Sequence, residues 1–368
     1  MAEALKNKFD EQFILPFSEV CKIHISSFNK EQFIKTVFSD QWKSLELKAR
    51  IKHIAAALHK QLTNSIPHNL AIITTIAEYI RVSQNKQDTF EYVVLCDYIE
   101  NYGLEYLYES LAAIEKVTVL SSCEFAIRAF IIRYPKETFA KLEEWSKHSH
   151  ASVRRLSSEG SRPRLPWGKG IAFLKKDPSP IIPILNNLKD DNSLYVRRSV
   201  ANNINDISKD HPTTVLTLLK NWYGCSKDRD WLVKHAARTL LKKGDRKALA
   251  LFGYGDSSNL QLNGFLLQSK VVRIGDYLTF NFSIKNTANH NQKVRLEYFI
   301  HFLLANGTLS KKIFKISERE LHQNETLTYK RRQSFKIIST RTYYTGEHKV
   351  SLVVNGIEFE SLNFNLIN

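Results

Sequence analysis

The chain has 368 residues, 43% of them hydrophobic, and a formal charge of +16 from 53 lysines and arginines against 37 acids. That length and apolar content leave room for two domains with their own cores and exclude a disordered polybasic tail. The excess charge points to a phosphate backbone as partner, with an anionic membrane next, yet no stretch reaches the roughly 18 apolar residues of a membrane span.

From the N-terminus, Met1-Ala-Glu-Ala-Leu-Lys-Asn-Lys lacks the apolar segment of a secretory leader. Leu47, Ile51, Ile54, Ala55, Leu58 and Leu62 then recur three and four apart, which predicts an amphipathic helix. Cys21, Cys96, Cys123 and Cys225 are scattered, with no Cys-x-x-Cys and no His-Glu-x-x-His. They read as reduced, buried thiols, and neither a zinc nor an iron–sulfur site is expected. Glu124 lies in Ser121-Ser-Cys-Glu-Phe-Ala-Ile-Arg128. Ser121 and Glu124 have capping-box spacing, and Glu124 and Arg128 are placed for an i,i+4 ion pair.

Between His148 and His235 one signature occurs three times. His148-Ser-His-Ala-Ser-Val-Arg-Arg155 is echoed by Asp190-Asp-Asn-Ser-Leu-Tyr-Val-Arg-Arg198, and more loosely by Asp228-Arg-Asp-Trp-Leu-Val-Lys-His235. Val153, Val196 and Val233 are 43 and 37 residues apart, the period of HEAT-type helix pairs stacked into a solenoid. The paired cations Arg154-Arg155 and Arg197-Arg198, with Lys234 in the third copy, suit a long polyanion. Asp190, Asp191, Asp228 and Asp230 are equally placed to bind one Arg of each pair across a repeat boundary, so one cation should be structural and the other face the ligand.

Ser161-Arg-Pro-Arg-Leu-Pro-Trp-Gly168 separates the first two copies. Pro163 and Pro166 prevent a continuous helix, leaving a stiff loop that presents Arg162, Arg164 and Trp167. An indole between guanidiniums can lie against sugar or base while the cations hold phosphates, or it can pack the loop onto the helices. Asp206, eight residues after Arg198, reads as a second carboxylate or as a local cap.

Gly253-Tyr-Gly255-Asp-Ser-Ser258 reads as a linker, so the expected domains are 1–255 and 259–368. After it the hydrophobic period becomes two. Val294, Leu296, Tyr298, Ile300 and Phe302 alternate with Arg295, Glu297, Phe299 and His301, and Asn306-Gly307 and Asn355-Gly356 supply turns. About seven strands in this length fit an immunoglobulin-like β-sandwich. The sandwich carries 15 basic and 8 acidic residues against 38 and 29 in the rest, so both parts are positive. That charge and the basic run Lys330-Arg331-Arg332 suggest that it completes a clamp around a duplex.

Three stretches carry a family resemblance: Glu124 to Arg128, Val153 to Trp167, and Val196 to Pro212. They resemble the AlkC family of bacterial alkylpurine DNA glycosylases, and the likeness runs over the whole chain, including Thr340 to His348. The sequence departs from the family pattern at Ala129, where many members carry proline. The resemblance implies a mainly α fold, a HEAT-like solenoid followed by an immunoglobulin-like sandwich. It also implies Glu124, Trp167 and Asp206 as catalytic residues. The implied partner is double-stranded DNA containing alkylated bases, met by a monomer in the bacterial cytoplasm with no cofactor. Excision of 3-methyladenine or 3-methylcytosine breaks a bond to a base already positive, so carboxylates that stabilise the sugar cation suffice. HEAT-type glycosylases are understood to do this without flipping the base, unlike most base-excising enzymes. A non-catalytic HEAT scaffold would explain the charge but not the Trp167 loop. An RNA-binding repeat protein would need base-reading residues in every repeat.

Overall fold

The computed structural model describes residues 5–87 and 89–368. Met1–Ala4, which open the stretch read above for a leader, lie outside the described residues, as does Asp88. Helices α1 (Glu11–His24), α2 (Lys30–Val37), α3 (Leu47–His59), α4 (Ile66–Ser83), α5 (Val93–Tyr102), α6 (Leu107–Val117), α7 (Ala126–Arg133) and α8 (Pro135–Trp145) precede the repeat signature. Those that carry it or follow it are α9 (Ala151–Gly160), α10 (Ala172–Lys176), α11 (Ile182–Leu188), α12 (Leu194–Ile207), α13 (Pro212–Trp222) and α14 (Lys227–Ala236). Among the described residues no helix is long and apolar enough to cross a membrane.

The apolar periodicity accounts for the helical packing. Ile51, Ile54, Ala55 and Leu58 are buried, so the stripe is the core face of α3, while Leu47 at its start is half-buried and buried Leu62 lies just past its end. Val153, Val196 and Val233 are each fully buried on α9, α12 and α14, and α12 packs against both of the others. Arginine–aspartate brackets cross both boundaries between the three copies of the signature. Arg154 donates to both carboxylate oxygens of Asp191, through Nε at 2.5 Å and Nη2 at 3.0 Å. Arg197 meets Asp228 at 3.1 Å in the following repeat. Pro183 lies in the first turn of α11 and Pro212 opens α13, where the missing N–H costs nothing.

The chain divides into two compact units. The first runs to Val215 and includes Trp222–Ala236, and is the HEAT-like solenoid. The second contains Leu216–Asn221 and Ala237–Asn368. In it, helices α15 (Arg238–Lys242) and α16 (Arg246–Leu251) accompany an immunoglobulin-like sandwich. Strands β1 (Leu260–Leu267), β3 (Tyr277–Asn286) and β6 (Thr326–Ser334) form one sheet. The other is ordered β2 (Val271–Arg273), β8 (Ile357–Ile367), β7 (Gly346–Val354), β4 (Gln292–Leu303), β5 (Leu309–Leu321). Phe280, Phe282, Leu296, Ile300, Phe335, Leu352 and Phe364 belong to the core between the sheets.

The polar residues that alternate with the apolar set along β4 are not left to solvent. Arg295 and Glu297 are both buried, with the guanidinium on both oxygens of Glu297 and on Glu318. Helices of the same unit reach the next hairpin. Gly244, between α15 and α16, lies so close to Gly356 that a Cβ on it would sit 2.8 Å from the Gly356 carbonyl oxygen. Asn355 and Gly356 have φ of 48° and 79°, the left-handed pair that a two-residue Asn-Gly hairpin turn requires.

Candidate active site

Glu124 does not cap a helix. The cap position of α7 is Phe125, with no side-chain hydrogen bond, so the capping-box reading of Ser121 fails. The i,i+4 pairing with Arg128 fails as well, because that guanidinium turns to backbone carbonyls of the Trp167 loop. Glu124 instead lies in the α6–α7 connection. Its Oε2 accepts from Ser122 Oγ at 3.0 Å and from Arg155 Nη1 of α9. Its Oε1 makes no hydrogen bond among the described residues.

From that contact an alternating line of charges runs through successive repeats. Arg155 Nη2 is 3.6 Å from Glu159, and Glu159 Oε1 accepts from Arg162 Nη1 at 2.6 Å. Arg162 Nε donates to Asp206 Oδ2 at 2.8 Å, and Lys209 Nζ donates to Asp206 Oδ1 at 2.9 Å. Arg155, Glu159 and Arg162 are spaced i, i+4 and i+7, one face of α9 and its continuation. Burial lowers the pKa of Arg155, but the Glu124 and Glu159 carboxylates more than offset it, so the group ends above its ordinary value. Arg162 is shifted up in the same way by Glu159 and Asp206, again against burial. Glu159 escaped the sequence reading. Its spacing from Arg155 and Arg162 was the available signal, but such triplets usually mark solvated faces.

Trp167 takes a backbone seldom used by large side chains. Gly168 N donates to Leu165 O at 3.1 Å, closing a tight turn with Pro166 second and Trp167 third. Trp167 has φ of +63°, the value that makes glycine the usual residue there. The indole is 65% exposed, which discards the reading that it packs the loop onto the helices. Leu165, buried beside it, does that instead. Lys48 of α3 donates to the Trp167 carbonyl.

Trp167 and Phe125 line two cavities. One, of about 380 Å³, holds Glu124, Arg155, Glu159 and Tyr195, with Arg155 over the Tyr195 ring at 4.9 Å. The other, of about 850 Å³, is mostly apolar and holds Lys48, Lys52, Asp97 and Glu100. Burial pushes Asp97 up to about 6, and burial together with the Asp97 charge pushes Glu100 up to about 7. A carboxyl whose folded pKa is raised costs the fold nothing while it is protonated in both states, and destabilises it progressively as pH rises from the unfolded pKa through the folded one. Glu100→Gln should therefore leave stability at pH 4 nearly unchanged and raise it at pH 8 by on the order of 2 kcal/mol. Chemical denaturation at both pH values checks this, and equal shifts at the two would refute it.

Asp206 is 2% exposed, has both oxygens engaged, and does not line the cavity that holds Glu124. The cations expected to meet DNA are placed in different ways. Arg154 and Arg197 are taken up by aspartates and backbone carbonyls, and Arg162 is buried between two acids. These three brace repeats and are not presented to a ligand. Arg164 is forked onto Asp210, and Lys234 is half-buried. On β6, Arg331 points inward and donates to the Ile316 carbonyl of the opposite sheet, because alternate residues of a strand face opposite ways. Arg198, Lys330 and Arg332 are exposed, Arg332 lying over the Tyr277 ring at 4.0 Å.

The cysteines also depart from expectation. Cys21, Cys96 and Cys123 are buried, but Cys225 is exposed, and Cys96 and Cys123 touch at 2.7 Å between sulfurs. Among the described residues no three His, Cys, Asp or Glu side chains converge as a metal site would require.

Residues 261–368 match the family described as uncharacterised protein YhaZ, C-terminal Ig-like domain. Over 360 residues the chain is 43% identical to the uncharacterized protein YhaZ of Bacillus subtilis (strain 168), covering 98% of each. Its fold superposes on the alkylpurine DNA glycosylase AlkC of Pseudomonas fluorescens, solved bound to DNA containing an abasic site analog. The TM-score is 0.93, with 32% identity and all of both chains covered.

Proposed function

The chain belongs to the AlkC family of alkylpurine DNA glycosylases, and we propose that it hydrolyses the N-glycosidic bond of cationic alkylated bases in double-stranded DNA. The observation that carries this reading is the cavity that Glu124 lines together with Glu159 and Trp167, with only one of the Glu124 oxygens, Oε2, taken up by Ser122 and Arg155. As the bond from C1′ to 3-methyladenine or 3-methylcytosine breaks, its electron pair passes to the departing base and cancels that base's charge. The sugar is left as an oxocarbenium-like cation. Glu124 stabilises that cation and accepts the proton of the water whose oxygen bonds to C1′. Trp167 covers the sugar and excludes bulk water. Glu159 takes the place of second carboxylate, and Asp206 acts through Arg162, which it holds. Arg155 lines the same cavity, so a backbone phosphate at its mouth would share the guanidinium with Glu124. Arg198, Lys330 and Arg332 are the exposed candidates for further phosphates. Acting on the base without extruding it would spare the few kcal/mol of unstacking.

Incubation with methylated duplex and chromatography of the released bases tests the reading. 3-Methyladenine and 3-methylcytosine should be released, and 7-methylguanine, with its stronger bond, slowly at best. Uracil, hypoxanthine and 8-oxoguanine are neutral and need a proton donor to leave, so they should stay in the DNA. Efficient release of uracil would overturn the mechanism.

A further inference from the structure

Glu124 and Trp167 come from different elements, and a buried cation joins them. Arg128 lies four residues after Glu124 on α7 and is 2% exposed. Its Nη1 donates to the carbonyls of Gly160 at 2.8 Å and Arg162 at 2.7 Å. Nε and Nη2 both donate to the Lys169 carbonyl, at 2.8 and 2.5 Å. The first two carbonyls lead into the Trp167 loop and the third leaves it. No carboxylate pairs with Arg128 among the described residues. Burial, followed by the nearby Arg162 charge, brings its pKa down to about 10. A charged group is rarely buried without a counter-ion, because desolvation is costly unless hydrogen bonds satisfy every donor in reach. A planar guanidinium holds carbonyls at both ends of one loop in a fixed fork, a geometry that the three rotatable donors of an ammonium do not impose.

We infer that Arg128 is a positioning residue. By fixing both ends of the loop to the helix that follows Glu124, it sets the separation of Trp167 and Glu124 and holds Trp167 in its left-handed backbone. The inference rests on the reading of Glu124 and Trp167 as the reacting pair. Displacement of such a group by about 1 Å can lower a rate on the order of a hundredfold without weakening substrate binding.

The experiment is a double-mutant cycle on the full-length protein with Arg128→Lys and Trp167→Ala. Single-turnover release of 3-methyladenine is measured beside affinity for a duplex carrying an abasic analogue. Arg128→Lys should slow release by about ten- to a hundredfold with affinity within about twofold of wild type. In the Trp167→Ala background the same change should cost no more than about twofold. Equal losses in both backgrounds, or an unchanged rate in Arg128→Lys, overturn the inference. Should Arg128→Lys melt below the assay temperature, Arg128→Gln, which removes the buried charge, enters the same cycle. Hydrogen exchange at the Gly168 and Ile171 amides, which close the loop on Leu165 and Pro163, provides a readout independent of activity. Both amides should lose protection in the variant, and unchanged protection refutes the positioning role even if the protein releases no base.

Discussion

Glu124→Gln should slow single-turnover release of 3-methyladenine about a thousandfold and leave duplex affinity unchanged or slightly tighter. A carboxylate about 4 Å from a developing cation, at an effective dielectric of about 20, is worth roughly 4 kcal/mol, and 1.4 kcal/mol is tenfold in rate. Glutamine keeps the shape and can still accept from Ser122 and Arg155, so what it removes is charge. Arg155 retains Glu159 as a partner, which should keep the variant folded. Losing one negative charge beside a polyanion cannot weaken its binding. A variant with full activity would show that Glu124 serves only to hold Arg155.

Trp167→Gly should be more stable than wild type and close to inactive. A bulky residue at φ of +63° costs on the order of 1–3 kcal/mol, and glycine adopts that backbone freely. Glycine's extra freedom in the unfolded chain takes back about 0.5–1 kcal/mol. The indole is two-thirds exposed, so little burial is lost with it. A net gain of about 1 kcal/mol should raise the melting temperature by roughly 2–4 °C. Base release should fall on the order of a hundredfold, because the sugar would then be open to bulk water. Strain retained at an exposed aromatic is what a functional site leaves behind when activity and stability make opposite demands. A lower melting temperature for the glycine variant would remove this explanation.

What the sequence could announce depended on how local the relevant physics is. The repeats were legible because burial of Val153, Val196 and Val233 and the Arg–Asp brackets recur at fixed spacing. The stiff loop was legible because Pro163 and Pro166 act on their own neighbours. Arg128 was misread because a short-range i,i+4 partner lost to carbonyls 32 to 41 residues downstream, and no window along the chain contains both. Arg162, Asp206 and Glu159 are assigned by which side chains meet between α9, the loop after it and α12, information that appears only on folding. Arg295 and Glu297 show the same limit in the sandwich. Strict alternation marks two faces but does not say whether the polar one meets water.

The line of charges from Glu124 to Lys209 also bears on how this array can change in evolution. Stacked helical repeats ordinarily tolerate gain, loss and exchange of units, because each contacts only its neighbours through similar apolar surfaces. Here the neighbours are linked by particular buried ions of opposite sign. Removing or duplicating the α9 unit would leave a guanidinium or a carboxylate sealed away from water without its counterpart, a defect worth about 3–5 kcal/mol. The segment from Ser121 to Asp210 should therefore keep its length and order among relatives, and its charged positions should drift only as compensated sets. Growth or trimming of the solenoid should be confined to the helices on either side, which an alignment of relatives would show.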